Sequence, residues 1–289
     1  MARLARLLMV QGTSSGAGKS TLVAGLCRLL SDDGYSVAPF KSQNMSSNLF
    51  VLAGSGLKMA RAQAVQAVAA RKEPDPRMNP ILLRPLGDYR SEVIVNGRFY
   101  AEMHAREYYD SFALRHGLPL ALKALAELRR ENDVVVIEGA GSPAEINIAE
   151  HDIANMLLAE KVRAPVVIVA DIERGGCFAS MVGTMQLLRP KHRALVKGFL
   201  INKFRGDPTL LEPAISVAQK MTKKRVLGVI PKIAFDLPEE DSLTGSSSNA
   251  SPADRGDASQ ESWGWQVDLL AKALKESVDV GKLYEVARL

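Results

Sequence analysis

The chain has 289 residues, of which 47% are apolar and 24% charged, and its formal net charge is +5 at pH 7. This length and composition suit one large globular domain, or one domain with an appendage. No apolar run approaches the roughly 20 residues that cross a bilayer, and the charge is modest. We therefore expect a cytoplasmic protein with no membrane or nucleic-acid partner, suited to small anionic substrates.

Continuous apolar runs recur along the chain, separated by helical patterns. They occupy residues 4–10, 36–40, 134–137, 164–170, 196–201 and 225–230. Because these runs do not alternate with polar residues, they predict strands covered on both faces and a largely parallel sheet. Helices are clearest at residues 21–30, 118–129 and 153–161. The alternation predicts a doubly wound α/β domain whose ligands bind at the carboxyl edge of the strands.

Two segments depart from this alternation. Asn96 and Gly97 follow a short apolar run and predict a hairpin or excursion that interrupts the main sheet. Residues 244–262 are rich in Ser, Gly, Asp and Asn and predict a flexible linker. Residues 263–289 predict a helical tail with a second short helix over 282–289. We expect it to pack on the domain rather than dock a partner, through one face formed by Leu269, Leu270, Ala273 and Leu274.

The two cysteines and four histidines give no sign of metal or nucleophile chemistry. Cys27 and Cys177 are far apart in the sequence, which argues against a disulfide framework or a four-ligand zinc site. We expect both to pack as small apolar residues. The histidines lack metal-binding spacing, and none lies near Cys27 in the sequence. A thiol nucleophile is therefore unsupported.

A glycine-rich segment joins the first apolar run to the first helix and is typical of a phosphate-binding loop. Glycines let the backbone amides turn toward an anion, and the following helix N-terminus adds positive partial charge. In this arrangement Lys19 reaches the β- and γ-phosphates, and the Ser20 hydroxyl holds Mg²⁺. The residues predicted to bind nucleotide here are Gly12, Thr13, Ser14, Ser15, Gly16, Ala17, Gly18, Lys19, Ser20 and Thr21.

Polar residues follow the later apolar runs, at the same predicted edge. Lys41, Gln43 and Asn44 follow the second run. We expect Lys41 to neutralise a phosphate or hold a substrate carboxylate and Gln43 and Asn44 to offer neutral donors and acceptors, with a solvated loop as the alternative. Glu138 ends the third run. An unpaired carboxylate there is costly, which predicts a magnesium ligand, with capping of the next helix as the alternative.

The two remaining clusters follow the fourth and fifth runs. Asp171 is predicted to coordinate metal directly or through water, and Arg174 to stabilise phosphate charge. The alternative is that these two residues pair with each other. Asn202 and Lys203 are predicted to bind the nucleotide base, through the amide and the lysine stem.

In this order, the motifs resemble the synthetase half of the cobyric acid synthase family, within the dethiobiotin synthetase-like group of phosphate-loop enzymes. The resemblance covers about residues 5–243 and includes the segments 12–21, 39–45, 61–67, 78–83, 138–147, 171–176, 201–207 and 237–242. It implies a synthetase domain over residues 1–243 that uses ATP and Mg²⁺. The implied reaction amidates peripheral carboxylates of adenosylcobyrinic acid a,c-diamide, a corrinoid, through acyl phosphates.

The resemblance also implies roles for individual residues. Lys19, Lys41, Glu138 and Asp171 are expected to be catalytic, with Ser20, Glu138 and Asp171 around the metal. The residues expected to contact the substrate are Gln43, Asn44, Gln63, Ser142, Glu145, Asn147 and Arg174.

Members of this family usually continue into a glutaminase domain, and from the sequence we expect a chain without one. The nitrogen source is then free ammonia or a separate glutaminase subunit, or the gene is truncated. A homodimer is a further expectation. Two alternatives stay open: another enzyme of the group, of the a,c-diamide synthase or dethiobiotin synthetase type, and a nucleotide-dependent switch without metabolite chemistry.

Overall fold

The computed structural model describes residues 4–233 and 260–289, with only the backbone of 260–262. In these ranges the strands are β1 (Arg6–Gly12), β2 (Val37–Phe40), β3 (Gln43–Met45), β4 (Leu49–Val51), β5 (Lys58–Ala60), β6 (Ile81–Gly87), β7 (Arg90–Val95), β8 (Arg98–His104), β9 (Val134–Glu138), β10 (Val166–Asp171), β11 (Val196–Phe204) and β12 (Arg225–Pro231).

The central sheet consists of six parallel strands in the order β12-β11-β10-β1-β9-β2. All six strands predicted from apolar runs lie in it. Successive residues of β9 and β10 point to opposite faces, and nearly all of them are buried. Both faces of the sheet are therefore covered, which confirms the doubly wound α/β prediction.

The described helices are α1 (Lys19–Asp32), α2 (Arg61–Ala69), α3 (Ala105–Glu107), α4 (Leu118–Glu131), α5 (Met156–Val162), α6 (Cys177–Leu187), α7 (Pro190–Leu195), α8 (Glu212–Thr222), α9 (Gln260–Ser277) and α10 (Val280–Ala287). A π-helix, Tyr108–Gly117, precedes α4. The helix predicted at 153–161 begins only at Met156, because Asn155 is not helical (φ −119°, ψ −115°). None of the described helices combines the length and the apolarity of a membrane span.

Two smaller sheets interrupt the alternation between β2 and α4. One has the order β3-β6-β7-β8, and the other pairs β4 with β5. Asn96 and Gly97 form the turn between β7 and β8 with positive φ angles of 47° and 82°. Such angles are typical of a two-residue hairpin turn, which confirms the predicted hairpin.

The C-terminal tail packs on the domain as predicted, but through a different face. Trp263, Leu270 and Leu274 are buried, whereas Leu269 is 47% exposed and Ala273 half-buried. The prediction of Leu269 and Ala273 in the packing face was wrong, because the buried stripe runs through 263, 267, 270 and 274. Helix α9 also begins three residues before the expected start of the tail. Residues 234–259, which include most of the predicted linker and the motif at 237–242, lie outside the described residues.

Candidate active site

The phosphate loop joins β1 to α1, and residues 12–21 lie in it or in the first turn of α1. Gly18 ends the loop with φ 93°, and a Cβ added there would lie 2.2 Å from Asn202 Nδ2. Both the φ angle and the close approach require glycine. Lys19 is nearly buried, and its Nζ donates to the carbonyl oxygens of Ser14 and Gly141, each at 3.1 Å. The lysine therefore links the loop to the segment after β9.

Glu138, at the end of β9, is completely buried against this loop. Its Oε1 accepts hydrogen bonds from Ser20 Oγ at 2.7 Å and from Lys41 Nζ at 2.8 Å. Burial by itself raises the pKa of Glu138, but the Lys41 charge and the hydrogen bonds outweigh it and hold the pKa below its ordinary value. The carboxylate is therefore ionised, and it caps no helix.

Ser20 and Glu138 fit a magnesium site. A hydroxyl and a carboxylate are hard oxygen donors of the kind that Mg²⁺ binds. Ser20 Oγ and Glu138 Oε1 lie 2.7 Å apart, and Ser20 is the residue after the phosphate-loop lysine.

Two glutamines on α2 complete the surroundings of Glu138. Gln63 Nε2 donates to Glu138 Oε2 at 3.3 Å, and Gln66 Nε2 donates to the same oxygen. The sequence predicted Gln63 as a site residue, but Gln66 was not predicted. Residues three positions apart share a helix face, so this spacing was the available signal.

The segment after β2 is buried, which excludes a solvated loop. Lys41 is 0% and Asn44 1% exposed. Asn44 Nδ2 donates to Gln63 Oε1 at 2.7 Å, and Tyr108 OH donates to Gln43 Oε1 at 2.7 Å. Gln43 and Asn44 thus connect the Glu138 cluster with the π-helix. Tyr108 had no signal in the sequence.

The segment between β9 and α5 brings further polar residues to the loop. The amide of Ser142 donates to Glu145 Oε1 at 2.9 Å, whereas Asn147 is exposed. Sequence reasoning missed Asn155, whose Nδ2 donates to Ala140 O and, at 2.8 Å, to Asp152 Oδ2. Desolvation raises the pKa of Asp152 to about 6. Asp152 and Asn155 are only three residues apart, but the bond from Asn155 to Ala140 O spans 15 residues, and no local pattern indicates it.

Asp171 lies at the other side of the loop. Lys203 Nζ contacts Asp171 Oδ2 at 2.9 Å and Gly16 O at 2.6 Å, and Asn202 Nδ2 donates to Ala17 O at 2.9 Å. Asp171 therefore pairs with Lys203 and not with exposed Arg174, which corrects the predicted alternative. Asn202 and Lys203 brace the loop, and base binding by them stays a prediction.

The structure does not bring Asp171 and Glu138 together. They end strands on either side of β1, and neighbouring strands are about 4.8 Å apart. A direct magnesium bond from Asp171 stays a prediction. Among the ranges 4–233 and 260–289, no group of three acidic, histidine or cysteine residues is placed to share a metal ion.

A glycine-rich loop between a parallel strand and a helix, with a lysine and a hydroxyl at the helix start, defines a phosphate-loop nucleotide-binding protein. Residues 8–243 match the family model described as the CobQ/CobB/MinD/ParA nucleotide binding domain. The chain belongs to this family.

Its relatives include proteins named cobyric acid synthase. One from Dehalococcoides mccartyi (strain CBDB1) is 54% identical over 241 residues, 83% of this chain and 47% of that protein. Another, from Desulfitobacterium hafniense (strain DCB-2), is 49% identical over 260 residues, 90% of this chain and 50% of that protein. The chain spans about half the length of these relatives.

A solved structure of the septum site-determining protein MinD with Mg-ADP, from Pyrococcus horikoshii, matches with a TM-score of 0.41 and 16% identity, over 78% of this chain and 82% of that one.

Proposed function

We propose that the chain catalyses ATP-dependent amidation of peripheral carboxylates of adenosylcobyrinic acid a,c-diamide, as the synthetase part of a cobyric acid synthase. The observation that carries this proposal is the buried Lys41–Glu138 pair. Glu138 accepts a hydrogen bond from Ser20, the residue that follows the phosphate-loop lysine. The 54% identity to a protein of that name supports the choice of substrate. We place the reaction in the cytoplasm, where ATP is available.

The residues of the site suit phosphoryl transfer to a carboxylate. Lys19 and the loop amides bind the phosphates, and Lys41 keeps Glu138 charged and fixed beside Ser20. Ser20 and Glu138 would hold a Mg²⁺ ion, whose charge would offset that of the phosphates. Gln43, Asn44, Gln63, Ser142, Glu145, Asn147 and Arg174 remain our candidates for contacts with the substrate.

The reaction runs in two balanced steps. A substrate carboxylate oxygen attacks the γ-phosphorus of ATP, the bond from that phosphorus to the bridging oxygen breaks, and ADP leaves with the electron pair. Ammonia then attacks the acyl carbon, and the carbon–oxygen bond to phosphate breaks. Phosphate leaves with that electron pair and takes up one proton from nitrogen, which leaves the amide. Activation is needed because a free carboxylate is a poor electrophile.

The test is incubation of the chain with ATP, Mg²⁺, ammonium chloride and the a,c-diamide, with phosphate release and product mass followed together. We expect a mass decrease of about 1 Da for each carboxylate converted, matched by one phosphate. Glutamine instead of ammonium, with and without an added glutaminase, identifies the nitrogen source. ATP hydrolysis that is independent of the a,c-diamide and forms no amide would reject the proposal in favour of a nucleotide switch.

A further inference from the structure

Two buried amide oxygens next to the active-site segment have no hydrogen-bond donor among the described residues. They are Gln11 Oε1, on β1, and Asn155 Oδ1. Gln11 is 0% and Asn155 2% exposed. The two side chains meet at Gly139, where an added Cβ would lie 2.2 Å from Asn155 Oδ1 and 3.0 Å from Gln11 Cγ. Buried acceptors without donors are costly, so this place suits a ligand that donates hydrogen bonds.

The orientation of the Asn155 amide is fixed by its other end. Asn155 Nδ2 donates to Ala140 O and to Asp152 Oδ2 at once. Both acceptors lack protons when Asp152 is ionised, so exchanging the amide's oxygen and nitrogen would lose both bonds. Asn155 Oδ1 must therefore face Gly139.

The electrostatic surroundings favour a cation. Asp152 is half-buried, and the charged group that acts on it is a second carboxylate, Glu145. The other titratable neighbours are Tyr108 and Tyr109, which are neutral in this environment because burial raises the pKa of each. A positively charged donor of hydrogen bonds beside Gly139 would thus meet two neutral acceptors, with the Asp152 carboxylate bonded to the other end of the Asn155 amide.

We propose that Gln11 Oε1, Asn155 Oδ1 and the Asp152 carboxylate form a binding site for ammonium. Ammonium is small, positively charged and carries four N–H donors, so it matches this set of acceptors. The site is also close to the phosphates: Asn155 binds the carbonyl of Ala140, and Lys19 binds the carbonyl of the next residue, Gly141. This inference rests on the proposed function for the use of the bound nitrogen.

The chemistry requires ammonium to lose a proton before it can attack. The Asp152 carboxylate accepts that proton, which frees the nitrogen lone pair, and later returns it to solvent. The lone pair forms the carbon–nitrogen bond of the amide as the acyl phosphate loses phosphate. Phosphate takes the second proton, so the net release is one proton for each ammonium used.

The test compares Gln11→Met and Asp152→Asn with Glu150→Gln, a control at an exposed acid on the same segment. Losing a hydrogen bond to a charged group predicts a KM for ammonium at least about tenfold higher in both test variants. The KM for ATP should stay within about twofold. Because Asp152 is only half-buried, Asp152→Asn should fold, so it still tests the site if Gln11→Met does not fold. An unchanged ammonium KM in the folded test variants would overturn the site.

A binding measurement separates this site from the proposed function. Ammonium chloride should raise the melting temperature of the wild type and of Glu150→Gln, relative to equal tetramethylammonium chloride, which has no N–H. The rise should be absent in Asp152→Asn. Stabilisation without any amide product would reject the proposed function and retain the site. No stabilisation of the wild type would reject the site, even if amide forms.

Discussion

Glu138 and Lys41 form an ion pair whose side chains are both completely removed from solvent. Desolvating two charges costs about as much as their attraction returns, so a buried pair is weak evidence for stability. Here the pair holds a carboxylate 2.7 Å from the Ser20 hydroxyl at the start of α1. This position supports the role proposed for Glu138, and loss of either partner would lower stability.

We expect Glu138→Gln to retain nucleotide but lose nearly all turnover, because the neutral amide weakens the metal site. It should also lower the free energy of unfolding by about 3–5 kcal/mol, since the buried Lys41 charge loses its attraction to the Glu138 carboxylate. Nucleotide titration, amide formation and urea unfolding measure the three effects. Wild-type turnover in this variant would remove Glu138 from the mechanism.

The double variant Lys41→Met/Glu138→Gln separates folding from chemistry. It removes the buried lysine charge together with the carboxylate that faced it, so we expect most of the lost unfolding free energy to return. Turnover should not return, because the metal site still lacks its carboxylate. Recovery of both would show that Glu138 serves stability alone.

Asp152 should make the stability depend on pH in a defined direction. Its pKa is about 6 in the folded chain and about 3.9 when unfolded. Between these values the folded chain binds more protons, so the free energy of unfolding falls as pH rises through this window.

Asp152→Asn abolishes that titration. Its stability relative to wild type should therefore increase between pH 4 and 6.5, by roughly 1–2 kcal/mol after allowance for partial exposure. Urea unfolding of both proteins at several pH values measures this difference. A constant difference across that range would contradict the raised pKa.

At the scale of elements, α1 carries the phosphate loop at one end and packs against the C-terminal tail through Gly25. A Cβ there would lie 2.6 Å from Leu274 Cδ1 and 2.7 Å from Leu270 Cγ, both on α9. The absence of a side chain thus allows two helices distant in sequence to approach closely. Trp263, 1% exposed, lies in the same buried stripe of α9.

We expect Gly25→Ala to destabilise the protein despite alanine's higher helix propensity. Overpacking costs about 1–3 kcal/mol, while the propensity gain is about 1 kcal/mol. The control is Gly183→Ala in α6, where an added Cβ meets nothing within 4 Å. Gly183→Ala should be neutral or stabilising in urea unfolding. Equal behaviour of the two variants would contradict close packing of α1 on α9.

The sequence predicted the elements whose signals are local. The central strands are apolar on both faces, and the phosphate loop has its glycines and lysine in one short segment, so both could be found without a structure. The sheet order β3-β6-β7-β8 could not be predicted from the sequence, because β3 has three residues and pairs with a strand far along the chain. The face of α9 was misjudged for a similar reason: Leu269 and Leu270 are equally apolar, and only the position of α1 decides which is buried.

The residues of the candidate site also divide into those with a local sequence signal and those without one. Lys19, Ser20, Lys41 and Glu138 were predicted at strand and helix ends, and the structure brings them together. Gln11, Gln66, Asp152 and Asn155 lie within or between elements, where polar residues are ordinarily exposed. Gln66 donates to Glu138, Gln11 and Asn155 meet at Gly139, and Asp152 accepts from Asn155. Only the fold creates these contacts.

At the scale of the whole molecule, the phosphate loop and the start of α1 contact two separate parts of the chain. Lys19 binds Gly141 O and Ser20 binds Glu138, both at or just after the end of β9, and Asn202 of β11 donates to Ala17 O. A ligand that occupies this loop binds the folded chain and not the unfolded one. Its binding free energy therefore adds to the stability of the whole fold.

We expect Mg-ATP to raise the free energy of unfolding by about 2.7 kcal/mol at a hundred times its dissociation constant. Lys19→Ala should lose most of this rise, because it removes the charge that binds the β- and γ-phosphates. Lys123→Ala, at an exposed lysine of α4, is the matched control and should keep it. Urea unfolding with and without nucleotide measures the effect in all three proteins. If Mg-ATP stabilised Lys19→Ala as much as wild type, the nucleotide would bind elsewhere and the assignment of the phosphate loop would fail.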